Sequence, residues 1–195
     1  MRNGQIIARG IQGGFGILAL YVVAAIFVIY LLLPGPLVPD LLGATKSDES
    51  GDSTEIPGVS AYFTNMSQEE VLGFYQNQFN HSSFLGLPLP TLVFSRPIQE
   101  AHEFINDQLI TTYFFEYVHP LRESVYVNGW VEGKLPPVYR RWINHSINPK
   151  GQHFTSKVTI RQATSPVWAR FLIAGLSVFA VIMLWRQTKK VGRIL

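Results

Sequence analysis

The sequence predicts an α+β protein in which two transmembrane helices flank a small extracytoplasmic domain with an antiparallel sheet and two helices. Two long apolar runs, residues 14–33 and 167–185, lie near the two ends of the chain, and Arg170 is the single charged side chain in them. All thirteen acidic residues lie between the two runs. The region between the runs also holds both helix-like and strand-like patterns, which is typical of an α+β domain.

The first apolar run, residues 14–33, is dominated by Leu, Ile, Val, Ala and Phe. At about 1.5 Å per residue it spans about 30 Å as a helix, the thickness of the hydrocarbon core of a bilayer. We therefore predict a transmembrane helix at 14–33, preceded by a cytoplasmic tail at 1–13. A cleaved signal peptide is the alternative, although the run is longer than the usual apolar region of a signal peptide.

The second apolar run predicts a transmembrane helix at 167–185. Trp168 and Trp185 stand near its two ends, where indole rings prefer the membrane interfaces. Arg170 lies in the first turn, and we expect its long side chain to reach the lipid head groups. Arg186 follows directly after the helix. We predict these four residues to anchor the helix in the bilayer.

The distribution of charge predicts the orientation. Both tails carry only basic residues, namely Arg2 and Arg9 before the first run and four Lys or Arg residues in the tail 186–195. Lys and Arg next to a membrane span are retained on the cytoplasmic side. We therefore expect both termini in the cytoplasm and the middle region outside. That region, 34–166, has nine basic and thirteen acidic residues, and its charge of −4 argues against binding to nucleic acid.

The middle region divides into a tether and a domain. Residues 34–57 contain three prolines within six residues and then a polar stretch rich in Ser, Asp and Thr, which predicts an extended or mobile tether. Residues 58–162 form the predicted domain. The chain has no cysteine, so no disulfide supports this domain and its hydrophobic core alone must stabilise it.

Local patterns predict the elements of the domain. Ser67 and Glu70 have the spacing of a capping box, which begins a helix at about 68–79. A second helix is predicted at about 97–109, with Pro97 suited to its first turn. Alternating or continuous apolar patterns predict strands at 59–63, 111–118, 124–131 and 153–162. Two further strands are possible, one between the two helices and one at 138–143.

The sequence contains no recognisable catalytic or metal-binding motif, and we predict no cofactor. The five histidines lack the paired spacing that zinc sites show on helices. Glu116 stands in an otherwise apolar strand, where it needs a partner such as Arg122 or Arg161. An envelope enzyme or metal-dependent hydrolase that uses Glu116 and a nearby histidine is therefore the alternative to a protein without enzymatic activity.

A mixed aromatic and basic segment is the best candidate for contact with a partner. Tyr139, Arg140, Arg141 and Trp142 follow one another, and together with Trp130 they could form an exposed apolar patch. Packing of the two aromatic rings in the sheet is the alternative.

These features predict a membrane-anchored envelope protein that displays a binding or assembly module. The expected contacts are the lipid bilayer, through two helices, and a protein partner or further copies of the chain. An extracytoplasmic ligand-sensing module is a further alternative, although the cytoplasmic tails are too short for a signalling domain.

Overall fold

The computed structural model describes residues 2–35, 37–49, 52, 57–80, 89, 91–105, 110–135, 137–140 and 151–191. The chain forms two compact units, Gly35–Ser165 and the combined terminal regions Met1–Pro34 and Pro166–Leu195. The helices are α1 (Arg2–Leu32), α2 (Gln68–Asn80), α3 (Ala101–Ile105), α4 (Pro137–Arg140) and α5 (Val167–Val191). The strands are β1 (Thr45–Lys46), β2 (Val59–Thr64), β3 (Leu92–Ser95), β4 (Tyr113–His119), β5 (Glu123–Val131) and β6 (Ser156–Thr164).

The unit Gly35–Ser165 is built on a six-stranded antiparallel sheet with the order β1-β2-β6-β5-β4-β3. The predicted α+β class and the antiparallel sheet are therefore confirmed. Strand β6, the last in the chain, lies between β2 and β5 and pairs with both along its length. The sheet thus has two edge strands, β1 and β3.

Helix α2 covers one face of the sheet. It begins as the capping box predicts, because the Ser67 amide donates to the Glu70 carboxylate (2.7 Å) and the Glu70 amide donates to the Ser67 hydroxyl (3.2 Å). Val71, Tyr75 and Phe79 are buried and belong to the same cluster as the inward side chains of β2, β4, β5 and β6. Burial of this apolar stripe is the main stabilising contact of the helix.

The other face of the sheet combines a small apolar cluster with buried charges. Ala101 and Ile105 of α3 pack against Phe114 of β4. Near the other end of the sheet, the Lys157 ammonium pairs with the carboxylates of Asp52 (2.7 Å) and Glu49 (3.1 Å). Both faces of the sheet are therefore covered in part by the chain itself.

Three local features differ from the expectations drawn from sequence. The helix expected at 97–109 begins as a 3-10 turn, Ile98–Glu100, and continues as the short α3; residues 106–109 lie outside the described residues. The possible strand at 138–143 is wrong where it can be checked, because Pro137–Arg140 form the helical turn α4. Finally, part of the region expected to be a tether, 34–57, is packed, since it contributes β1 and the buried residues Leu41, Ser47 and Asp52.

The terminal unit consists of α1 and α5. Within the described part of the chain, one helix, Val167–Lys189, is long and apolar enough to cross a membrane, with a mean hydropathy of 2.2. The apolar helical segment Gly16–Leu32 is shorter, so the first predicted span stays a prediction. Trp168 and Trp185 are both exposed, as lipid-facing side chains would be, and Arg186 is exposed too.

Arg170 makes a contact that the sequence does not indicate. Arg170 is 4% exposed, and its guanidinium donates to the carbonyl oxygens of Leu31 (3.0 Å) and Leu33 (2.9 Å). The last carbonyl groups of a helix lack partners within the helix, and a cation there is favourable. Arg170 therefore links α5 to the C-terminal end of α1.

We predict that Gly129→Ala destabilises the protein by about 3 kcal/mol or more, because a new methyl group must displace packed atoms. A Cβ atom at Gly129 would overlap the ring and hydroxyl of Tyr113 and lie 2.7 Å from the carbonyl oxygen of Lys157. Gly73→Ala is the matched control, because a Cβ atom there meets nothing within 4 Å and alanine favours helix α2. Urea unfolding in mild detergent measures both; equal stabilities of the two variants would contradict the prediction.

Candidate binding site

The outer edge of β3 is an exposed apolar surface. Its three apolar residues, Leu92, Val93 and Phe94, are 47%, 43% and 44% exposed. Successive residues of a strand point to opposite faces, so the described residues leave both faces of this strand partly uncovered. In the described part of the chain β3 pairs with β4 alone, which leaves one row of its peptide groups free to pair with another strand. We call Leu92–Ser95 the β3 edge.

The opposite edge of the sheet has a different character. Strand β1 has only two residues, Thr45 and Lys46, and both are polar. Short edge strands and lysine side chains are common means by which proteins prevent a sheet from pairing with another chain. Among the described residues, one edge of the sheet therefore has these protective features and the other lacks them.

A cavity of about 200 Å³ lies between the segment Val38–Asp40 and the sheet. Its polar lining includes Asp40, Ser60, Tyr62, Tyr75 and Gln162. The Tyr62 hydroxyl donates to the Asp40 carboxylate (2.5 Å). The Tyr75 hydroxyl is buried and has no hydrogen-bond partner among the described residues.

Four tyrosines of the core have raised pKa values. Burial, together with the bond to Asp40, raises the pKa of Tyr62 from about 10 to about 12, and burial raises the pKa of Tyr117 to about 12. Burial also raises the pKa of Tyr75 and Tyr113, and for Tyr75 the nearby Tyr62 and Asp40 add to this effect.

A buried polar chain lies at the turn between β4 and β5. His119 Nδ1 lies 2.6 Å from Glu123 Oε1, and His119 Nε2 lies 3.1 Å from the Thr91 hydroxyl. Arg122 pairs with the same Glu123 oxygen (3.2 Å), and the Phe79 ring stacks on the imidazole. The side chains of His119 and Glu123 are fully buried. The order hydroxyl, imidazole, carboxylate is that of a nucleophile with its base, but a substrate cannot reach this imidazole in the folded domain.

The residues predicted to contact a partner are only partly described. Trp130 is 4% exposed and packs with Leu135 and Ile110, so the exposed patch expected around it is not found at that residue. Tyr139 is 41% exposed on α4. Arg140 ends α4, but its side chain lies outside the described part, as do Arg141 and Trp142. The suggested contact role of these four neighbouring residues stays a prediction.

Glu116 pairs with an arginine, and no histidine whose side chain the structure describes contacts it. Its carboxylate pairs with the guanidinium of Arg96, which also lies 3.4 Å from Glu100. The carboxylate of Glu116 raises the pKa of Arg96. The predicted need for a partner was therefore correct, but the partner is Arg96 rather than Arg122 or Arg161.

The described histidines are dispersed. His119 and Glu116 are three residues apart in β4 and therefore point to opposite faces of the sheet. His153 is half-exposed and pairs with Glu132 (3.3 Å). The side chain of His102, and all of His81 and His145, lie outside the described residues. No group of three or more His, Asp or Glu residues in the described ranges could hold a metal ion.

Comparison with known proteins gives no relative. No family model matches the chain, no curated protein is similar to it, and no solved structure matches its fold. Function must therefore be argued from the surfaces and sites above.

Sequence reasoning missed the β3 edge and the cavity. Leu92, Val93 and Phe94 are an ordinary short apolar run, and a run of this length does not show whether its strand is central or at an edge. Asp40 and Tyr75 are thirty-five residues apart and meet only through the fold. The one available signal was that the first part of the region 34–57 is apolar, with Leu37, Val38, Leu41 and Leu42 before the polar stretch.

We predict that Glu123→Ala lowers the free energy of unfolding by about 3–5 kcal/mol, because it removes the carboxylate that binds two buried groups, His119 and Arg122. Glu132→Ala is the matched control. It also removes a carboxylate next to a histidine, but on the surface, where about 1 kcal/mol or less is expected. Urea unfolding of both variants checks this, and a similar loss in both would show that burial of the cluster is unimportant.

We predict that stability falls steeply between pH 10 and pH 12. Unfolded tyrosines release their protons near pH 10, whereas Tyr62 and Tyr117 release theirs near 12 when folded. The folded state therefore binds more protons in this window, and the free energy of unfolding decreases with pH, by at most about 1.4 kcal/mol per pH unit for each group. The double variant Tyr62→Phe, Tyr117→Phe should show a shallower decline in denaturant titrations at each pH. An unchanged slope would contradict the assignment.

Proposed function

We propose that this chain is a membrane-anchored assembly protein whose α+β domain binds an extended segment of a partner protein along the β3 edge. Two helices, at 14–33 and 167–185, hold it in the membrane with both termini in the cytoplasm and the domain outside. The domain itself performs no chemistry in this proposal. It provides a surface on which a protein partner is held.

The β3 edge is the observation that carries the proposal. Large side chains on both faces of one edge strand, each more than two-fifths exposed, are costly for a domain that remains without a partner. An added strand would satisfy the outer peptide groups, and its side chains would cover part of the exposed surface of Leu92, Val93 and Phe94. This mode of recognition, β-strand addition, combines main-chain hydrogen bonds with contacts of alternate side chains.

Membrane anchoring rests on composition and charge. Val167–Lys189 has the length and hydropathy of a span. The first span is supported by the uncharged run 14–33, of which Gly16–Leu32 is helical with largely exposed side chains. The orientation is supported by the basic tails.

The enzyme alternative has less support. It requires Glu116 to meet a histidine in a cleft, whereas Glu116 is 5% exposed and bound to Arg96, on the opposite face of the sheet from His119. The buried chain of Thr91, His119 and Glu123 is better explained as a clamp on the β4–β5 turn. Its imidazole has no exposed surface for a substrate.

The test is site-specific photocrosslinking of the full-length protein in its native membranes. A photoreactive phenylalanine analogue at Val93 should give one discrete crosslinked product, identified by mass spectrometry as a second copy or another protein. The same analogue at Lys46, on the protected β1 edge, is the matched control and should give none.

A charge on the β3 edge should remove the partner. Val93→Lys is expected to reduce co-purification of the crosslinked partner by about tenfold or more, because strand addition would bury the ammonium group. Thr45→Lys, on the other edge, should leave co-purification unchanged. Retention of the partner by Val93→Lys, or crosslinking from position 46 instead, would reject the β3 edge as the interface.

A further inference from the structure

The register of β3 shows which of its peptide groups face an added strand. Arg96, directly after β3, donates its amide to the carbonyl oxygen of Phe114 (2.8 Å), which marks these two residues as a hydrogen-bonded pair of the ladder. Such pairs alternate along an antiparallel ladder, so Phe94 and Leu92 also bond to β4. The residues between them turn their peptide groups to the open edge: Thr91, Val93 and Ser95.

The segment that carries these groups, residues 91–95, has the same polarity pattern in both directions. It consists of one polar residue, three apolar residues and one polar residue, with Val93 at its centre. Pro90 and Pro97 stand outside it in the sequence, and a proline has no amide hydrogen to donate to a ladder. The segment is therefore complementary to itself in antiparallel pairing.

One register matches both the peptide groups and the side chains of two such segments. With Val93 opposite Val93 of the second copy, Thr91 lies opposite Ser95, and each of these pairs can exchange two hydrogen bonds. Leu92 then lies opposite Phe94 on both sides of the axis, so apolar side chains pair with apolar ones. A shift of two positions in either direction would set Val93 against a polar residue instead.

Electrostatic repulsion does not oppose this pairing at the segment. Residues 91–95 include no ionisable side chain. The neighbouring Arg96 donates from Nε to Glu116 (2.8 Å), and its Nη1 lies 3.4 Å from Glu100, so its charge is compensated within its own domain. Charged residues on an edge strand are a common means of preventing two copies from pairing, and this segment lacks them.

We infer, on the basis of the proposed function, that the partner held at the β3 edge is a second copy of this chain, paired antiparallel about a two-fold axis through Val93. The two six-stranded sheets then form one continuous sheet across the axis. The contact is limited to a short strand from each copy, which is small for a stable dimer in solution. Confinement of both copies to one membrane raises their effective concentration and compensates for the small contact.

The chain has no cysteine, so a single introduced thiol can report the contact. Residues opposite one another in a hydrogen-bonded pair have Cα atoms about 5.5 Å apart, which a disulfide can bridge. Val93→Cys in the full-length protein should therefore form a disulfide-linked dimer in oxidised native membranes, because position 93 lies opposite itself. Lys46→Cys, on the β1 edge, is the matched control and should remain monomeric on non-reducing gels.

Two further variants test the register. Leu92→Cys or Phe94→Cys alone places the two thiols of a dimer on diagonal positions, about 7–8 Å apart, so neither should crosslink with itself. Two differently tagged copies, one with each substitution, should crosslink with each other when expressed together, because these positions lie opposite one another. Crosslinking of Phe94→Cys with itself, without crosslinking in the mixture, would reject the axis at Val93.

A charge exchange tests the same register without thiols. Leu92→Lys or Phe94→Glu alone should reduce co-purification of two tagged copies, extracted in polymer nanodiscs, about tenfold, because each charge lies against an apolar side chain. In a mixture of the two variants the introduced lysine lies opposite the introduced glutamate, and co-purification should return to within about threefold of the wild type. A mixture that recovers no more than the single variants would contradict the pairing.

Failure of the dimer and failure of the proposed function give different results. If no thiol variant forms a dimer while the photoreactive analogue at Val93 crosslinks another protein, the β3 edge binds that protein and a second copy is excluded. If neither the thiols nor the analogue gives a crosslink, the β3 edge is not an interface, and both proposals are wrong.

Discussion

The insertion of β6 between β2 and β5 is the constraint on which the rest of the domain depends. β6 is the last strand in the chain, yet it is central in the sheet and pairs on both sides. Until it is in place, β1 and β2 are separated from β3, β4 and β5. Its side chains Val158 and Ile160 also complete the core under α2. The pairing of β6 with β2 joins residues that are about one hundred positions apart in the chain, and closing a loop of this length costs conformational entropy. The sheet is incomplete until this pairing has formed.

The same arrangement explains where the β3 edge and the cavity lie. A sheet with its last strand in the middle must leave two earlier strands at its edges, here β1 and β3. The cavity forms where β2 and β6 meet α2 and the segment Val38–Asp40. Both features are products of the strand order, although they lie at different places in the sheet.

The domain also contains three charged pairs that are partly or fully buried. Arg122 with Glu123, Lys157 with Asp52, and Arg96 with Glu116 each remove a charged side chain from water. Such pairs contribute little net stability compared with apolar packing, but loss of one partner is costly because the other remains buried. They fix the positions of the turn, the N-terminal segment and the β3 end of the sheet. In a domain without cysteine, these pairs restrict the fold at points that disulfides could otherwise hold.

The order of residues along the chain was enough to predict the α+β class, the apolar helix α5, helix α2 with its capping box, and the antiparallel sheet. These features depend on local patterns: hydropathy over about twenty residues, a cap of four residues, and alternation along a strand. A local pattern also predicted that Glu116 needs a partner, because a buried carboxylate in an apolar strand requires a positive charge or a hydrogen-bond donor. The partner itself, Arg96, was decided by the pairing of β3 with β4.

Edge strands, buried hydroxyls and packed segments could be identified only in the folded domain. Leu92, Val93 and Phe94 have the composition of a buried strand, but they are exposed in β3, which has one neighbour among the described strands. Tryptophan is common at binding interfaces, but Trp130 lies in the core. Arg170 binds the C-terminal end of α1. Exposure and pairing are properties of distant contacts, and no local pattern of residues specifies them.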